Sequence, residues 1–301
     1  MTMLVPLSDY FNTLVDVQMA ARVTRALHAE IFHHLNNSAA VLIHYQRRDK
    51  TKHQDPDAFI GIASEIAQEA SVPAQDIMDR IAGDEAKLNV GTLLVDLLYN
   101  PDLVTADNLE GLTNFHTCLD ADADALRDIR ISAEIKMLER SGMVDTPINM
   151  DAPYAHVTLG EYFDCLVRAQ MAMKVASAQR TEITEQMAHN AAALKTRIME
   201  FNAEGLSEFK DSEHMLVIHA HAHATSIMAP LNIDAQELQT PSTRLVSLFK
   251  EQGRMTEEYY DGLCALREGL RGAREKLRDL RKTTEVNLLR VSGLVQQSFT
   301  I

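Results

Sequence analysis

The chain has 301 residues, of which 46% are hydrophobic, 24% are charged and 5% are aromatic, so it is long enough for one large or two ordinary domains. Its 29 Lys and Arg residues against 43 Asp and Glu residues give a formal net charge of −14, which argues against nucleic acid or an anionic membrane as the main partner. With 12 Gly and 8 Pro residues, it has too few turn formers for a β-sandwich or barrel, and an all-α fold is expected.

The first predicted element is a long helix capped by Ser8. Apolar residues follow at helical spacing from Phe11 to Leu42, which is typical of a helix with one buried face. The pair Asn36-Asn37 interrupts this pattern, because asparagine is a weak helix former. We therefore expect the helix to bend or end there.

The next predicted helices are marked by prolines and glycines. Asp55-Pro56 combines an N-cap residue with a proline at the first helical position, which predicts a helix start. Pro73 is expected to open a separate short helix. Gly83 is expected to end that short helix as a C-terminal glycine.

Two further helices are predicted over residues 91–99 and 106–141, the second capped by Thr105 and ended by Gly142. Three aspartates alternate with alanines inside the second of these helices: Asp120, Asp122 and Asp124. They lack the glycine and glutamate of a calcium-binding loop. We therefore interpret them as a solvated helix face or a hinge.

A change in composition divides the chain near its middle. Prolines and scattered polar residues between Met143 and Val157 indicate a linker. Residues 1–150 carry a net charge of −11 and residues 151–301 a net charge of −3. The sequence thus predicts an acidic helical domain over residues 1–150, followed by a region of long helices over residues 151–301.

The second half starts with the strongest helix signal. Thr158 and Glu161 have the spacing of a capping box. Apolar residues then recur every seven positions from Leu159 to Phe201, which predicts a coiled-coil or bundle helix that ends near Gly205.

A similar seven-residue pattern runs from Leu263 to Leu294. Between the two long patterns, residues 211–229 predict a third helix that ends at Pro230 and allows long antiparallel helices to pack within one chain. Three glycines interrupt the last pattern: Gly262, Gly269 and Gly272. Because glycine is unfavourable in a helix, we expect a neighbouring helix to approach closely at these positions.

Histidines provide the main chemical signal of the sequence, clustered between His214 and His223. His219 and His223 are four residues apart, so on a helix they share a face and could chelate a divalent transition metal. A complete site needs ligands from a second helix, and Glu185 and His189 have the matching spacing. The alternative is that these histidines are polar residues of a surface.

Residues 33–42, His-His-Leu-Asn-Asn-Ser-Ala-Ala-Val-Leu, resemble the phosphoacceptor box of sensor histidine kinases. The resemblance implies phosphotransfer through His33. Two departures weaken it, because His34 stands where that family has an acidic residue, and no glycine-rich ATP-binding boxes follow. Glu30 and His33 also form one ExxH half-site of a di-iron bundle, but the second ExxH that such a site needs does not occur.

The cysteines and the N-terminus bear on the compartment. The three cysteines do not form a CxxC pair, so neither a disulfide framework nor a zinc–cysteine site is expected. The first residues lack a signal peptide, and no apolar run is long enough for a transmembrane helix. A cytoplasmic protein is therefore expected, with secretion by a signal-less route left open.

The favoured hypothesis is a non-enzymatic scaffold, adaptor or assembly component that acts through coiled-coil contacts with a protein partner or with itself. No nucleophile elbow, P-loop or dinucleotide fingerprint occurs, so no catalytic residue and no cofactor are proposed. The first alternative is a metal-binding protein or metal-dependent enzyme that uses the histidine cluster. A second is a secreted effector or pore-forming component, and a third is phosphotransfer through His33.

Overall fold

The computed structural model describes residues 5–48, 55–144, 148–154, 157–201, 206–250 and 255–295. Within these ranges the chain forms the helices α1 (Leu7–Arg48), α2 (Pro56–Lys87), α3 (Leu94–Tyr99), α4 (Ala106–Arg140), α5 (Leu159–Phe201), α6 (Leu206–Glu237), α7 (Leu245–Lys250) and α8 (Glu257–Val291). A 3-10 turn spans Pro101–Leu103, and the short strands β1 (Pro153–Tyr154) and β2 (Val157–Thr158) pair antiparallel before α5. The predicted all-α fold is confirmed.

Helix α1 continues through Asn36 and Asn37 without interruption, so the expected break does not occur. Asn36 is exposed, and the side-chain nitrogen of Asn37 lies 2.9 Å from Nε2 of His33 one turn earlier. Leu35 and Leu42 stay buried on the opposite side of the helix. The polar pair therefore lies on the outer side, while burial of the apolar stripe holds the helix together.

Two predicted helix boundaries at prolines are wrong, because Pro73 lies inside α2 and Pro230 lies inside α6. Both prolines are exposed, so water can donate a hydrogen bond to the carbonyl oxygen that proline leaves without a donor. Gly83 does not end a helix either. Two residues beyond the ends of these helices, Asn89 and Gln239 both have a φ of 51° and turn the chain in the left-handed conformation.

The predicted helix caps at Thr158 and Thr105 are confirmed, whereas Ser8, the expected cap of the first helix, lies inside α1. The Glu161 amide donates to Oγ1 of Thr158 over 3.2 Å, and the Thr158 amide donates to Oε2 of Glu161 over 2.7 Å, which is the reciprocal arrangement of a capping box. Thr105 caps α4 by accepting from the Asn108 amide over 3.2 Å. The expected end of α5 near Gly205 lies outside the described residues, as do positions 145–147 and 155–156 of the predicted linker.

The aspartate pattern of α4 is only partly a solvated face. Asp120 and Asp124 are exposed, but Asp122 is buried. Its carboxylate forms an ion pair with Arg80 of α2. The alternating aspartates therefore include one contact that holds α2 on α4, and α4 continues through them without a hinge.

Each half of the chain folds as a unit of three long helices. In the second half, Cys165 meets Cys264 and Glu182 meets Arg281, so α5 and α8 run parallel. Helix α6 runs antiparallel to both, as expected for a bundle of long antiparallel helices. In the first half α1 and α4 run parallel in the same way, with α2 antiparallel to them.

Two of the three glycines of α8 lie where a neighbouring helix approaches. A Cβ atom at Gly262 would lie 2.9 Å from Cδ2 of Leu238, and one at Gly269 would lie 2.8 Å from Cδ2 of Leu231. At Gly272, nothing among the described residues lies within 4 Å of such an atom. The close-approach prediction is therefore confirmed for the first two glycines and wrong for Gly272.

The two halves are copies of one unit. Helices α1 to α4 contain 42, 32, 6 and 35 residues, and α5 to α8 contain 43, 32, 6 and 35. Nine of the seventeen residues over 7–23 are identical over 159–175, and Leu-Arg-Asp-x-Arg-x-x-x-Glu occurs at 126–134 and again at 277–285. We call α1–α4 the first repeat and α5–α8 the second repeat, related by a shift of 151 or 152 residues.

The repeats meet along α1 and α5. Arg22 contacts Glu185 and Glu30 contacts Lys174, so these two helices run antiparallel, as expected when two copies of a unit are related by a two-fold rotation. One hydrophobic core cluster extends through both repeats. The division at residue 150 into separate domains stays a prediction. In the described part of the chain, no helix has the length and apolarity needed to cross a membrane.

Candidate functional site

The predicted metal ligands lie on two different surfaces. His219 and His223 are exposed on α6. Glu185 and His189 line a cleft of about 620 Å³ together with residues of α1 and of the segment before α3, and α6 does not contribute to this cleft. Glu185 also forms an ion pair with Arg22, with 2.8 Å between Oε2 and Nη2.

Among the described residues, no group of three or more His, Cys, Asp or Glu side chains is arranged to hold a metal ion. His221, another histidine of the cluster, has Nδ1 3.3 Å from Oγ1 of Thr184 in α5. His214 is exposed. The structure therefore does not bring the four predicted ligands together, and the metal site stays a prediction.

The outer face of α6 carries apolar residues that the chain itself does not cover. The side of α6 that packs on α5 and α8 is defined by its buried residues, Phe209, Ala220, Ala224, Met228 and Ala235. On the opposite side, Met215, Ile218 and Ile233 are 51%, 46% and 57% exposed. We call this row the α6 seam: Met215, Ile218, Ala222, Thr225, Ala229 and Ile233, all exposed and spaced by three or four residues, close to the spacing of a coiled-coil helix.

A buried arginine links the second repeat to the first. Arg281 of α8 is fully buried. Its Nε donates to Glu285 over 2.7 Å and its Nη1 donates to Glu182 over 2.6 Å. Its Nη2 donates to the side chain of Gln18 in α1, and Gln18 in turn donates to the carbonyl oxygen of Val90. Two carboxylates thus balance the guanidinium, and the bond to Gln18 crosses between the repeats.

The first repeat contains the equivalent network. Arg130 of α4 is buried, and its Nε donates to Glu134 over 2.9 Å. Its Nη2 donates to Gln170 of α5. Gln170 then donates to the carbonyl oxygens of Thr240 and Thr243, over 2.7 and 2.8 Å. Each arginine therefore reaches a glutamine of the other repeat, and that glutamine holds the turn between two helices of its own repeat.

His34 distinguishes the first network from the second. Its Nε2 lies 2.8 Å from the carboxylate of Glu30, and its Nδ1 lies 3.1 Å from Nη2 of Arg130. Neutral histidine with the proton on Nε2 satisfies both contacts, because Nε2 then donates and Nδ1 accepts. Burial lowers the pKa of His34 and the charge of Arg130 lowers it further, although the hydrogen bond with Glu30 opposes this shift.

Glu30 is the acidic end of this contact. Burial alone would raise the pKa of Glu30, but the hydrogen bond with His34 and the contact with Lys174 hold it at about 2. Nζ of Lys174 lies 3.0 Å from Oε2 of Glu30. The two oxygens of Glu30 thus contact His34 and Lys174, whereas Nε2 of His33 lies 2.9 Å from the side-chain nitrogen of Asn37. His33 itself is exposed on the outer side of α1, and its phosphorylation stays a hypothesis.

A cavity of about 340 Å³ opens where α1 and α4 of the first repeat meet α5 and α8 of the second. Its floor is apolar, and its lining holds five arginines against three acidic residues: Arg127, Arg168, Arg267, Arg271, Arg274, Asp120, Asp124 and Glu268. We call this space the junction cavity. A smaller cavity of about 260 Å³ adjoins it and shares Asp120, Arg271 and Arg274.

The thiols of Cys165 and Cys264 lie close together, which the sequence did not predict. Sγ of Cys165 lies 3.4 Å from Sγ of Cys264. Burial raises the pKa of the Cys165 thiol to about 12, and the hydrogen bond with Cys264 acts in the same direction. Because the thiolate is the reactive form of cysteine, we expect Cys165 to react slowly in the folded protein.

The residues of the two arginine networks, which sequence reasoning missed, share one signal. Gln18 and Gln170, Arg130 and Arg281, and the two turns that the glutamines bind become equivalent when the sequence is compared with itself at a shift of 151 or 152 residues. Such a self-comparison detects internal repeats. Comparison of the chain with protein-family models, with curated proteins and with solved structures finds no match. Function is therefore inferred from the residues of this chain.

Proposed function

We propose that this protein is a non-enzymatic assembly component or adaptor that pairs with another protein along the α6 seam, and that its simplest partner is a second copy of the chain. The observation that supports this proposal is a coiled-coil spacing of exposed residues on the side of α6 opposite its buried face. Three large apolar residues at this spacing, Met215, Ile218 and Ile233, are about half exposed. Exposed apolar rows of this kind are typical of protein interaction sites.

In the described part of the chain, the heptad residues of α5 and α8 do not form such an exposed row. The heptad residues Leu263, Leu270 and Leu277 of α8 are fully buried against the chain's own helices. Leu166 and Met187 of α5 are buried in the same way. The apolar stripes of these helices therefore stabilise the fold, and we assign the contacts with a partner to α6.

The α6 seam is complementary to itself in an antiparallel pair. Centred between Ala222 and Thr225, such a pair places Ile218 of one copy opposite Ala229 of the other. Met215 then lies opposite Asn232, next to Ile233, at both ends of the pair. Large residues at the ends and small residues at the centre allow the two helices to approach closely, and one surface patch serves both copies in a closed dimer.

The test is the molar mass in solution, measured by size-exclusion chromatography with light scattering over a range of concentrations. We expect a dimer of the 33.6 kDa chain that dissociates on dilution. The variant Ile218→Glu/Ala229→Glu should be monomeric with unchanged helix content, because it places charges at the centre of the seam.

Val72→Glu is the matched control. Val72 is 59% exposed on α2, the helix of the first repeat that corresponds to α6, and this variant should keep the mass of the unmodified protein. A mass of one chain at every concentration contradicts pairing with a second copy. An equal loss of the dimer in the seam variant and in the control would also contradict the proposal.

A further inference from the structure

We propose that the junction cavity binds an amphipathic carboxylate, a molecule with one carboxylate group and an apolar body of about ten carbon atoms. The cavity volume of about 340 Å³ lies within the range of small-molecule sites. This proposal is independent of the α6 seam, because α6 does not line the cavity.

The floor of the cavity suits the apolar part of such a ligand. It is formed by aliphatic side chains and methionine from α1, α4 and α5: Ala20, Val23, Leu27, Leu119, Ala123, Met171, Ala172 and Val175. Most of these side chains belong to the buried core. A ligand that covers this floor removes apolar surface from water, and binding should strengthen with each methylene group that it adds.

The rim of the cavity suits the carboxylate. Three of its arginines have acidic partners, since Arg127 and Arg168 contact Asp124 and Arg271 contacts Glu268. Arg267 and Arg274 line the same rim, and neither forms an ion pair with a residue in the described ranges. Burial lowers the pKa of Arg274, although the nearby charge of Asp120 opposes the shift. A partly buried guanidinium in this position is stabilised by an anion.

The two repeats differ at these positions. The residues of α4 equivalent to Arg267, Arg271 and Arg274 are His116, Asp120 and Ala123. The first repeat thus builds the same helix packing without arginine at any of the three. The three arginines of α8 are therefore not needed for this helix packing. Binding of an anion gives them a function.

Arginine recognises a carboxylate through two parallel hydrogen bonds in one plane, which ammonium groups cannot provide. The five arginines of the lining outnumber the three acidic residues in a chain of net charge −14. This local positive surplus attracts an anion to the cavity that the rest of the surface repels. A neutral ligand of the same shape would leave Arg267 and Arg274 without a partner.

The experiment is isothermal titration calorimetry of the full chain with decanoate. We expect one site per chain and an affinity that rises about fourfold per methylene from hexanoate through octanoate to decanoate. Decanol and decylamine should bind at least tenfold more weakly than decanoate, because they lack the carboxylate. Arg267→Gln/Arg274→Gln should weaken decanoate binding at least tenfold.

The control variant is Lys276→Gln/Arg140→Gln, which removes two positive charges at exposed positions of α8 and α4 outside the cavity and should bind decanoate normally. No heat of binding with millimolar decanoate overturns the proposal. Equal binding of decanoate and decanol also overturns it, and so does equal weakening in both double variants. The comparison of decanoate with decanol uses the unmodified protein, so it decides the matter even if the arginine variant does not fold.

Discussion

Arg130 and Arg281 occupy equivalent positions in the two repeats, and each donates to a glutamine that belongs to the other repeat. Each glutamine then holds the turn of its own repeat through backbone carbonyl groups. The contact between the repeats is therefore made by buried, charge-assisted hydrogen bonds in addition to apolar packing. Such bonds are directional, so they fix how one repeat sits on the other.

The first prediction concerns this network. Arg130→Met leaves the carboxylate of Glu134, which is 2% exposed, buried without its partner. Removal of one member of a buried ion pair costs about 3–5 kcal/mol, and we expect a loss of this size in the free energy of unfolding measured by urea denaturation. Arg140→Met, at the exposed end of the same helix, should change it by less than about 0.5 kcal/mol. Similar losses in the two variants would show that the network does not stabilise the fold.

The second prediction concerns pH and His34. Because the pKa of His34 is lower in the folded chain, the unfolded chain binds more protons below about pH 6.5, and stability falls as the pH falls through this range. His34→Gln keeps a donor and an acceptor but cannot take up a proton. It should reduce the slope of the unfolding free energy between pH 7 and pH 5 by up to about 1.4 kcal/mol per pH unit.

His33→Gln is the control for this measurement, since His33 is the exposed neighbour of His34. This variant should leave the slope unchanged. Some slope remains in the His34 variant, because burial also lowers the pKa of His28. Urea denaturation at pH 5, 6 and 7 measures all three proteins. An unchanged slope in His34→Gln would contradict a neutral His34 between Glu30 and Arg130.

The third prediction separates two glycines of α8. Gly272→Ala should raise the free energy of unfolding by up to about 1 kcal/mol, because alanine favours the helix and nothing in the described part of the chain lies near the added methyl group. Gly269→Ala should gain less, since Leu231 must move aside. Thermal or urea denaturation measures both variants. A larger gain for Gly269→Ala would contradict the close approach of α6 to α8.

The fourth prediction concerns cysteine reactivity. Cys118 is exposed, whereas Cys165 is buried with its pKa raised to about 12. Iodoacetamide at pH 8, followed by peptide mass spectrometry, should modify Cys118 quickly and leave Cys165 protected while the chain is folded. In urea both should react at similar rates. Equally rapid modification of the two in the folded protein would contradict the buried thiol pair.

Local patterns of the sequence predicted the helices well. The capping box of Thr158 and Glu161 and the cap at Thr105 involve residues three positions apart, so they can be read directly from the sequence. Pro73 and Pro230 misled the prediction because proline breaks a helix only where its neighbours cannot accommodate the missing hydrogen bond. At Pro73 and Pro230 the exposed side of the helix leaves the free carbonyl oxygen accessible to water, and a single segment of sequence does not reveal which side of a helix will be exposed.

The candidate sites were harder to predict, because their residues come from distant parts of the chain. Arg281 meets Gln18 across 263 residues, and the junction cavity takes its lining from four helices. Neither leaves a local motif. The α6 seam overlaps the predicted histidine cluster in sequence. Its apolar spacing indicates an exposed row only when the buried face of α6 is known.

The presence of both repeats in one chain has a consequence for assembly. If the repeats were separate molecules, the bonds from Arg130 to Gln170 and from Arg281 to Gln18 would form only in a homodimer, whose population depends on concentration. Covalent linkage makes that association intramolecular and gives it a high effective concentration. Covalent linkage also allows the sequences of the two repeats to differ. One side of the junction cavity can then carry arginines that the other side lacks, and a ligand can bind in a single orientation.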